Sequence, residues 1–379
     1  MKVERKWLLA ILVLSFALRS LPFIWGVIPG LDSYLHRDIA LRILEKKSLL
    51  SYDLLSLIGL RAYSYPAGFH LLLALFLAFL NDRVACQVVP ALSGTLSVLL
   101  VFYLAKELFS DERISLGAAF LLSTSPSHIY RSSLCIPESV GILFYISSIF
   151  FAARFLKERK VLNLLWLAII MTFYLFFHRG WFFAFLTLGI IFSFNFYDTL
   201  FLKKKNLIFL LVLILFLSIF AKSLFFELLL RFPREPVTAL GYLKWVGALQ
   251  IFFATLSMLY LLKERDRMSY SLIAWALTLL GFGSISFRFR DPYSTFPVSL
   301  LASHFIMRHL VPFLNSLKLE GLKRISLKNL VFSSIFLLCI SQALYTSLFL
   351  VEHPNPYELE ALDFLEKNTP KDSIVLTWK

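Results

Sequence analysis

Apolar stretches of about 20 residues, the length that crosses a bilayer as helix, recur along the whole chain. They fall at 7–25, 84–105, 114–130, 139–156, 161–177, 181–202, 207–230, 242–262, 270–287, 293–313 and 330–351, which makes eleven. No soluble globule of this size can hide them all. Of 379 residues, 59% are hydrophobic and only 16% charged, against about 25% charged in ordinary soluble domains. A water-soluble enzyme and a disordered chain are both excluded. The net charge of +14 would point to nucleic acid in a soluble protein. Here Lys and Arg occupy short clusters between apolar runs, the habit of a polytopic membrane protein, so nucleic acid is not an expected partner. Cys86, Cys135 and Cys339 lie far apart in sequence and form no disulfide framework, zinc spacing or redox pair.

A twelfth run, 66–80, opens on Tyr65-Pro66-Ala67-Gly68, which is turn chemistry. Charge decides whether it crosses. With 66–80 left out, the loops 106–113, 157–160, 203–205, 263–267 and 314–329 share one side and hold fifteen Lys and Arg. The opposite loops hold six arginines: Arg131, Arg179, Arg231, Arg234, Arg288 and Arg290. Cytoplasmic loops carry the basic excess, so 66–80 is read as an interfacial helix within a long external segment, 26–83. Lys2, Arg5 and Lys6 then precede the first span on the cytoplasmic side. Arg19, Pro22 and Trp25 read as anchors at its outer boundary. The expectation is an all-α polytopic protein of about eleven transmembrane helices. Residues 1–351 form the membrane domain. The external tail 352–379 is helical over Glu358 to Lys367, begins a strand at Ile374, and reads as the start of a further domain.

In such a chain, function concentrates where polar residues meet the membrane boundary. Asp32 stands just beyond the first span, on the side away from the basic clusters. It is a base or a divalent-metal ligand, or else the N-cap of a helical stretch at 33–47. Glu138 follows Pro137 between the third and fourth spans. It is a partner of Asp32 in a site, or only an acid in the first turn of a helix. Arg288, Arg290 and Asp291 lie between the ninth and tenth spans; guanidinium binds phosphate oxygens bidentately, while interfacial anchoring is the plainer reading. His178-Arg179-Gly180-Trp181 reads as a tight structural turn. His304, Arg308 and His309 lie toward the cytoplasmic end of a span, where they line a cavity or snorkel.

These groups suit one chemistry together. A lipid-linked sugar phosphate places its phosphate at the outer boundary, where Arg290 neutralises charge on the leaving group. Asp32 deprotonates the incoming hydroxyl or orients an amide. Glu138 shares a divalent ion, Mg or Mn, with Asp32 or orients the acceptor. The expected ligands of the donor are Arg290, Arg288, Arg131 and His36.

Several segments resemble a known family. Leu31-Asp32-Ser33-Tyr34-Leu35-His36-Arg37 resembles the first external loop of the catalytic subunit of archaeal and bacterial oligosaccharyltransferases, Asp-x-Tyr-Tyr-His/Tyr-x-Arg. Tyr65-Pro66-Ala67-Gly68 is similar to the Tyr-Pro-Pro-Gly helix of membrane glycosyltransferases of the GT-C fold. Ser125 to Ser132 resembles the run toward that family's second acidic motif, in which Glu138 supplies one acid and Val140 fills the other place. Arg290 to Pro297 is similar to its Arg-Phe-x-x-Tyr-x-x-Pro boundary, and Ala361 to Trp378 to the approach to its Trp-Trp-Asp-Tyr-Gly signature. The resemblance implies an inverting glycosyltransferase with its active site outside. Its partners would be a polyprenyl- or dolichyl-phosphate-linked sugar, the lipid bilayer, and a glycan or protein acceptor. An oligosaccharyltransferase-like fragment is the nearest alternative. A lipid or solute transporter would show an internal repeat and broken spans in both halves, and an inactive scaffold homologue is the remaining alternative.

Overall fold

The computed structural model describes residues 2–49, 65–201, 239–264, 266–283, 291–317, 321–351 and 356–370. Among these residues the regular structure is all helical. Helix α1 spans Lys2–Ser20 and tightens into a 3₁₀ turn over Leu21–Trp25. Then follow α2 (Leu31–Lys46), α3 (Gly68–Leu77), α4 (Asp82–Phe109), α5 (Glu112–Ser123), α6 (Pro126–Ser133), α7 (Pro137–Glu158), α8 (Val161–Phe177) and α9 (Trp181–Phe201). Beyond them come α10 (Ala248–Glu264), α11 (Arg267–Gly283), α12 (Thr295–Phe305), α13 (Gly321–Tyr345) and α14 (Pro356–Asn368). Wider π turns lead into α10 at Leu243–Gly247 and extend α12 and α13 at Ile306–Leu310 and Thr346–Leu350.

Six stretches among the described residues are long and apolar enough to cross a membrane: Arg5–Trp25, Asp82–Phe109, Pro137–Glu158, Leu240–Glu264, Thr295–Ser316 and Leu327–Phe349. Large apolar side chains stay exposed along their outer faces, including Trp7, Val13, Leu96, Phe252, Leu337 and Phe349. Such a surface is stable against lipid, not water. The expected span at 207–230 and the strand at Ile374 lie outside the described residues.

Helix α4 is the spine, packing against α1, α5 and α7. Its buried face carries Ala91, Ser93, Gly94, Ser97, Val98 and Val101, and small residues let helix backbones approach closely. The expected span 114–130 is two helices. Ser125 is extended (φ −70°, ψ 125°) ahead of Pro126, because the proline ring disfavours helical geometry in the residue before it. Helix α5 therefore stops at Ser123 and the eight-residue α6 departs separately. Helix α3 has ten residues, about 15 Å of rise, half the thickness of a hydrocarbon core; it packs on α2.

Arg19 corrects the sequence reading. It is fully buried, while Trp25 remains 56% exposed at the boundary. A buried guanidinium is tolerated only when its donors are satisfied, and Arg19 is held by five hydrogen-bonding contacts. Deeper in the bundle, Trp275 Nε1 donates to the Tyr145 hydroxyl at 2.8 Å, and that hydroxyl meets Thr187 Oγ1 at 2.9 Å. This chain of polar contacts ties α7, α9 and α11 together. At the opposite end of the bundle from α2, Lys157 pairs with Glu107 at 3.2 Å, which brings the loops 106–113 and 157–160 side by side.

Candidate active site

One end of the bundle gathers α2, α3, α6, the start of α7, the α8–α9 turn and the segment entering α12. Asp32 stands in the first turn of α2, whose N-cap is Gly30. Its side chain is exposed and makes no hydrogen bond or ion pair with another described residue. Helix α2 thus begins without an Asp32 cap. The next residue, Ser33, is buried; its hydroxyl donates to Pro29 O at 2.6 Å and accepts the backbone N–H of Cys135 at 3.0 Å. Cys135 lies three residues before Glu138, so the two acid-bearing segments are joined.

Proline at the first helical position starts α7 and places Glu138 in the first turn, near the positive end of the helix dipole. The Glu138 carboxylate is nearly buried and pairs with Arg131 Nη1 at 3.4 Å. Arg131 projects from α6 and lies over the Tyr130 ring at 5.3 Å. Burial pulls the Arg131 pKa down, but Glu138, Tyr130, Asp291 and Tyr293 more than offset it, leaving it raised. Asp291, 4% exposed, is therefore a second acid beside Arg131. Its position in sequence next to Arg290 suggested only interfacial anchoring. Tyr174 and Tyr293 hydroxyls, 3.3 Å apart, lie within electrostatic reach of Glu138.

His36 turns inward, one helical turn beyond Asp32. Its Nδ1 lies 2.9 Å from His70 Nε2 on α3, with Tyr65 and Phe69 edge-on at 5.2 and 5.9 Å. His70 hydrogen bonds to the Pro66 backbone, which puts its proton on Nδ1. The proton in the His36–His70 contact then belongs to His36 Nδ1. Burial, then the nearby His70 and His178, push the His36 pKa down to about 3. Burial pushes His70 to about 4, with the Pro66 bond opposing. His178 accepts the Gly180 N–H at 3.0 Å within the α8–α9 turn, and Arg179 lies over the Tyr65 ring at 5.3 Å, which places that turn at this end.

The structure thus brings together Glu138, Arg131 and the segment carrying Asp32, and directs His36 to His70. Arg288 and Arg290 lie outside the described residues. His304 and His309 are elsewhere, near α10: His304 contacts Ser257 Oγ at 2.9 Å and His309 stacks on Tyr260 at 4.0 Å. Among the described residues no group of three or more His, Cys, Asp or Glu side chains is arranged to hold a metal ion. Glu138 already faces a guanidinium. Among the described residues His70, His178, Ser33 and Asp291 lie beside the groups expected from sequence. In sequence His178 read as part of a structural turn, Asp291 as a boundary acid and Ser33 as a position within the Leu31–Arg37 stretch, while His70 stands two residues beyond Tyr65-Pro66-Ala67-Gly68.

A family model described as dolichyl-phosphate-mannose-protein mannosyltransferase matches residues 64–226. No curated protein matches the chain in sequence. Among solved structures, the archaeal oligosaccharyltransferase AglB from Archaeoglobus fulgidus, in complex with an inhibitory peptide and a dolichol-phosphate, superposes with a TM-score of 0.73. Identity is 18%, over 97% of this chain and 58% of that one. ArnT from Cupriavidus metallidurans superposes with a TM-score of 0.63 at 14% identity, over 96% of this chain and 80% of that one. The same ArnT bound to undecaprenyl phosphate gives 0.54 at 14%, over 82% and 60%. The chain has the GT-C fold of membrane glycosyltransferases and resembles the oligosaccharyltransferase. It spans 58% of the AglB chain's length.

Proposed function

We propose that this chain transfers a sugar from a polyprenyl-phosphate-linked donor to an acceptor on the outer face of a cell membrane, by a single inverting displacement. The observation that carries this reading is the Ser33–Cys135 bond, which sets the Asp32 turn beside the Glu138 loop in a GT-C fold. Dolichol-phosphate bound to AglB and undecaprenyl phosphate bound to ArnT support the donor class. The 15-to-6 bias in loop Lys and Arg supports the outer face.

In this reaction the acceptor oxygen bonds to the anomeric carbon as the bond from that carbon to the phosphate oxygen breaks. The electron pair leaves with the lipid phosphate, and the acceptor proton passes to Asp32. An exposed carboxylate with no competing partner among the described residues is suited to that role. Glu138, fixed by Arg131, orients the acceptor. Arg290 and Arg288 are proposed for the leaving phosphate, where guanidinium binds oxygen pairs.

Membranes carrying the full chain are incubated with radiolabelled sugar linked to polyprenyl monophosphate or diphosphate, and release of the lipid phosphate is followed. Asp32→Asn should slow release by about 10² to 10⁴, the usual worth of a general base, while expression and lipid binding stay unchanged. Full activity in Asp32→Asn rejects the base assignment. Lipid movement across the bilayer without sugar release would favour the transporter.

A further inference from the structure

Arg19 is 0% exposed and close to the end of α1. Its Nε–H donates to Ser132 Oγ at 2.7 Å, and its Nη1 donates to Ser15 O and Ser15 Oγ, both at 2.8 Å, and to Ser123 O at 3.4 Å. Its Nη2 contacts His128 Nδ1. No described carboxylate pairs with it. Its charge is met by hydroxyls, an imidazole, the Ser15 carbonyl and the last carbonyl of α5, the negative end of that helix dipole. A guanidinium can only donate, so His128 Nδ1 accepts and His128 is neutral with its proton on Nε2.

His128 and Ser132 are four residues apart and share one face of α6. Arg19 therefore grips that helix at both of its turns. Arg131, on an adjoining face, reaches Glu138 at 3.4 Å. An eight-residue helix has too few internal bonds to hold its own direction, so its neighbours must set it. Room for the grip comes from Gly94 of α4, where a Cβ would come within 2.6 Å of Ser132 Oγ and closer still to Arg19 Nε.

We infer that Arg19 is a positioning residue: from α1 it fixes the orientation of α6 and thereby the Arg131–Glu138 ion pair. Its consequence for turnover rests on the proposed glycosyl transfer; the geometric part does not.

The full chain in lipid nanodiscs tests both parts. Thermal midpoints are measured for Arg131→Gln, Glu138→Gln and the double variant, first with Arg19 and then with Arg19→Met. With Arg19 present, the double variant should lose no more than the worse single, because the second substitution removes a partner already lost. With Met at position 19, the two losses should become additive. A residue that only stabilised the bundle would lower every midpoint and leave the coupling intact, and that result overturns the inference. Should Arg19→Met fail to fold, Arg19→Lys and Gly94→Ala carry the same cycle, since one weakens the grip and the other crowds it. Where sugar release is observed, Arg19→Met should lower kcat by about tenfold to a hundredfold, the effect of a small misplacement, with little change in acceptor KM, and Arg19→Lys should recover part of it. If the wild-type chain releases no sugar from any donor, the proposed function fails while the coupling cycle still decides the role of Arg19.

Discussion

The Ser33 hydroxyl accepts the backbone N–H of Cys135 at 3.0 Å, joining the first turn of α2 to the loop before α7 across 102 positions of sequence. Both groups are buried. Ser33→Ala leaves that N–H without an acceptor, which costs about 1–3 kcal/mol. The thermal midpoint should fall, and sugar release should fall with it, because the Asp32 and Glu138 segments separate. Ser33→Thr keeps the acceptor and should retain more of both. An unchanged midpoint in Ser33→Ala would show that the bond does not hold the two segments together.

Gly180 allows the α8–α9 turn to close on the site. A Cβ there would lie 2.6 Å from His178 Nδ1 and 2.7 Å from the Tyr293 hydroxyl. Gly180→Ala should cost about 1–3 kcal/mol through overpacking. Gly189, within α9, has nothing within 4 Å of the same added atom. Gly189→Ala should be neutral, or stabilising by up to about 1 kcal/mol through helix propensity. Paired unfolding measurements should therefore show a loss for Gly180→Ala and none for Gly189→Ala; equal losses would contradict the crowding at Gly180.

Stability should fall on acidification. His36 and His70, with pKa values near about 3 and about 4 when folded, titrate near 6.5 when unfolded. Between these values the unfolded chain binds protons that the folded chain does not. Their contribution is whole above about pH 6.5 and is lost as pH drops toward the folded values, by about 2 kcal/mol per histidine at pH 5. Midpoints measured from pH 7.5 to 5 should decline, and His36→Gln should flatten the decline. A slope identical in wild type and His36→Gln would remove these histidines from the account.

Sidedness can be read by labelling intact cells with an impermeant thiol reagent. Cys86, Cys135 and Cys339 are all buried, so single new cysteines should dominate the signal. A cysteine at Lys204 should react only after permeabilisation, and one at Asp38, exposed on α2, should react directly. The reverse pattern would place the site on the cytoplasmic face.

Much of this architecture was legible in the chain because membrane insertion is a local rule. Each segment either has about 20 apolar residues or does not, and each loop either carries the basic excess or does not. Pro137 marked the start of α7 for a similarly local reason, since proline suits the first helical position. The break at Ser125-Pro126 carried the same local signal, but the continuous apolar run concealed it. Asp32 and Glu138 stood out because carboxylates are rare at such boundaries.

Hydropathy and loop charge were enough to establish the membrane class and the helical content, and to mark Asp32 and Glu138 as acids at span boundaries. Helix packing, in contrast, buries Arg19 against α6 away from the lipid headgroups, sets Arg131 against Glu138 and Asp291, and pairs His36 with His70. The reason is physical. A charged side chain's role depends on which partners and how much water surround it, and those partners come from helices more than a hundred residues away in the case of Arg19 and Ser132. Hydropathy is summed along the chain, whereas hydrogen bonds are made across it.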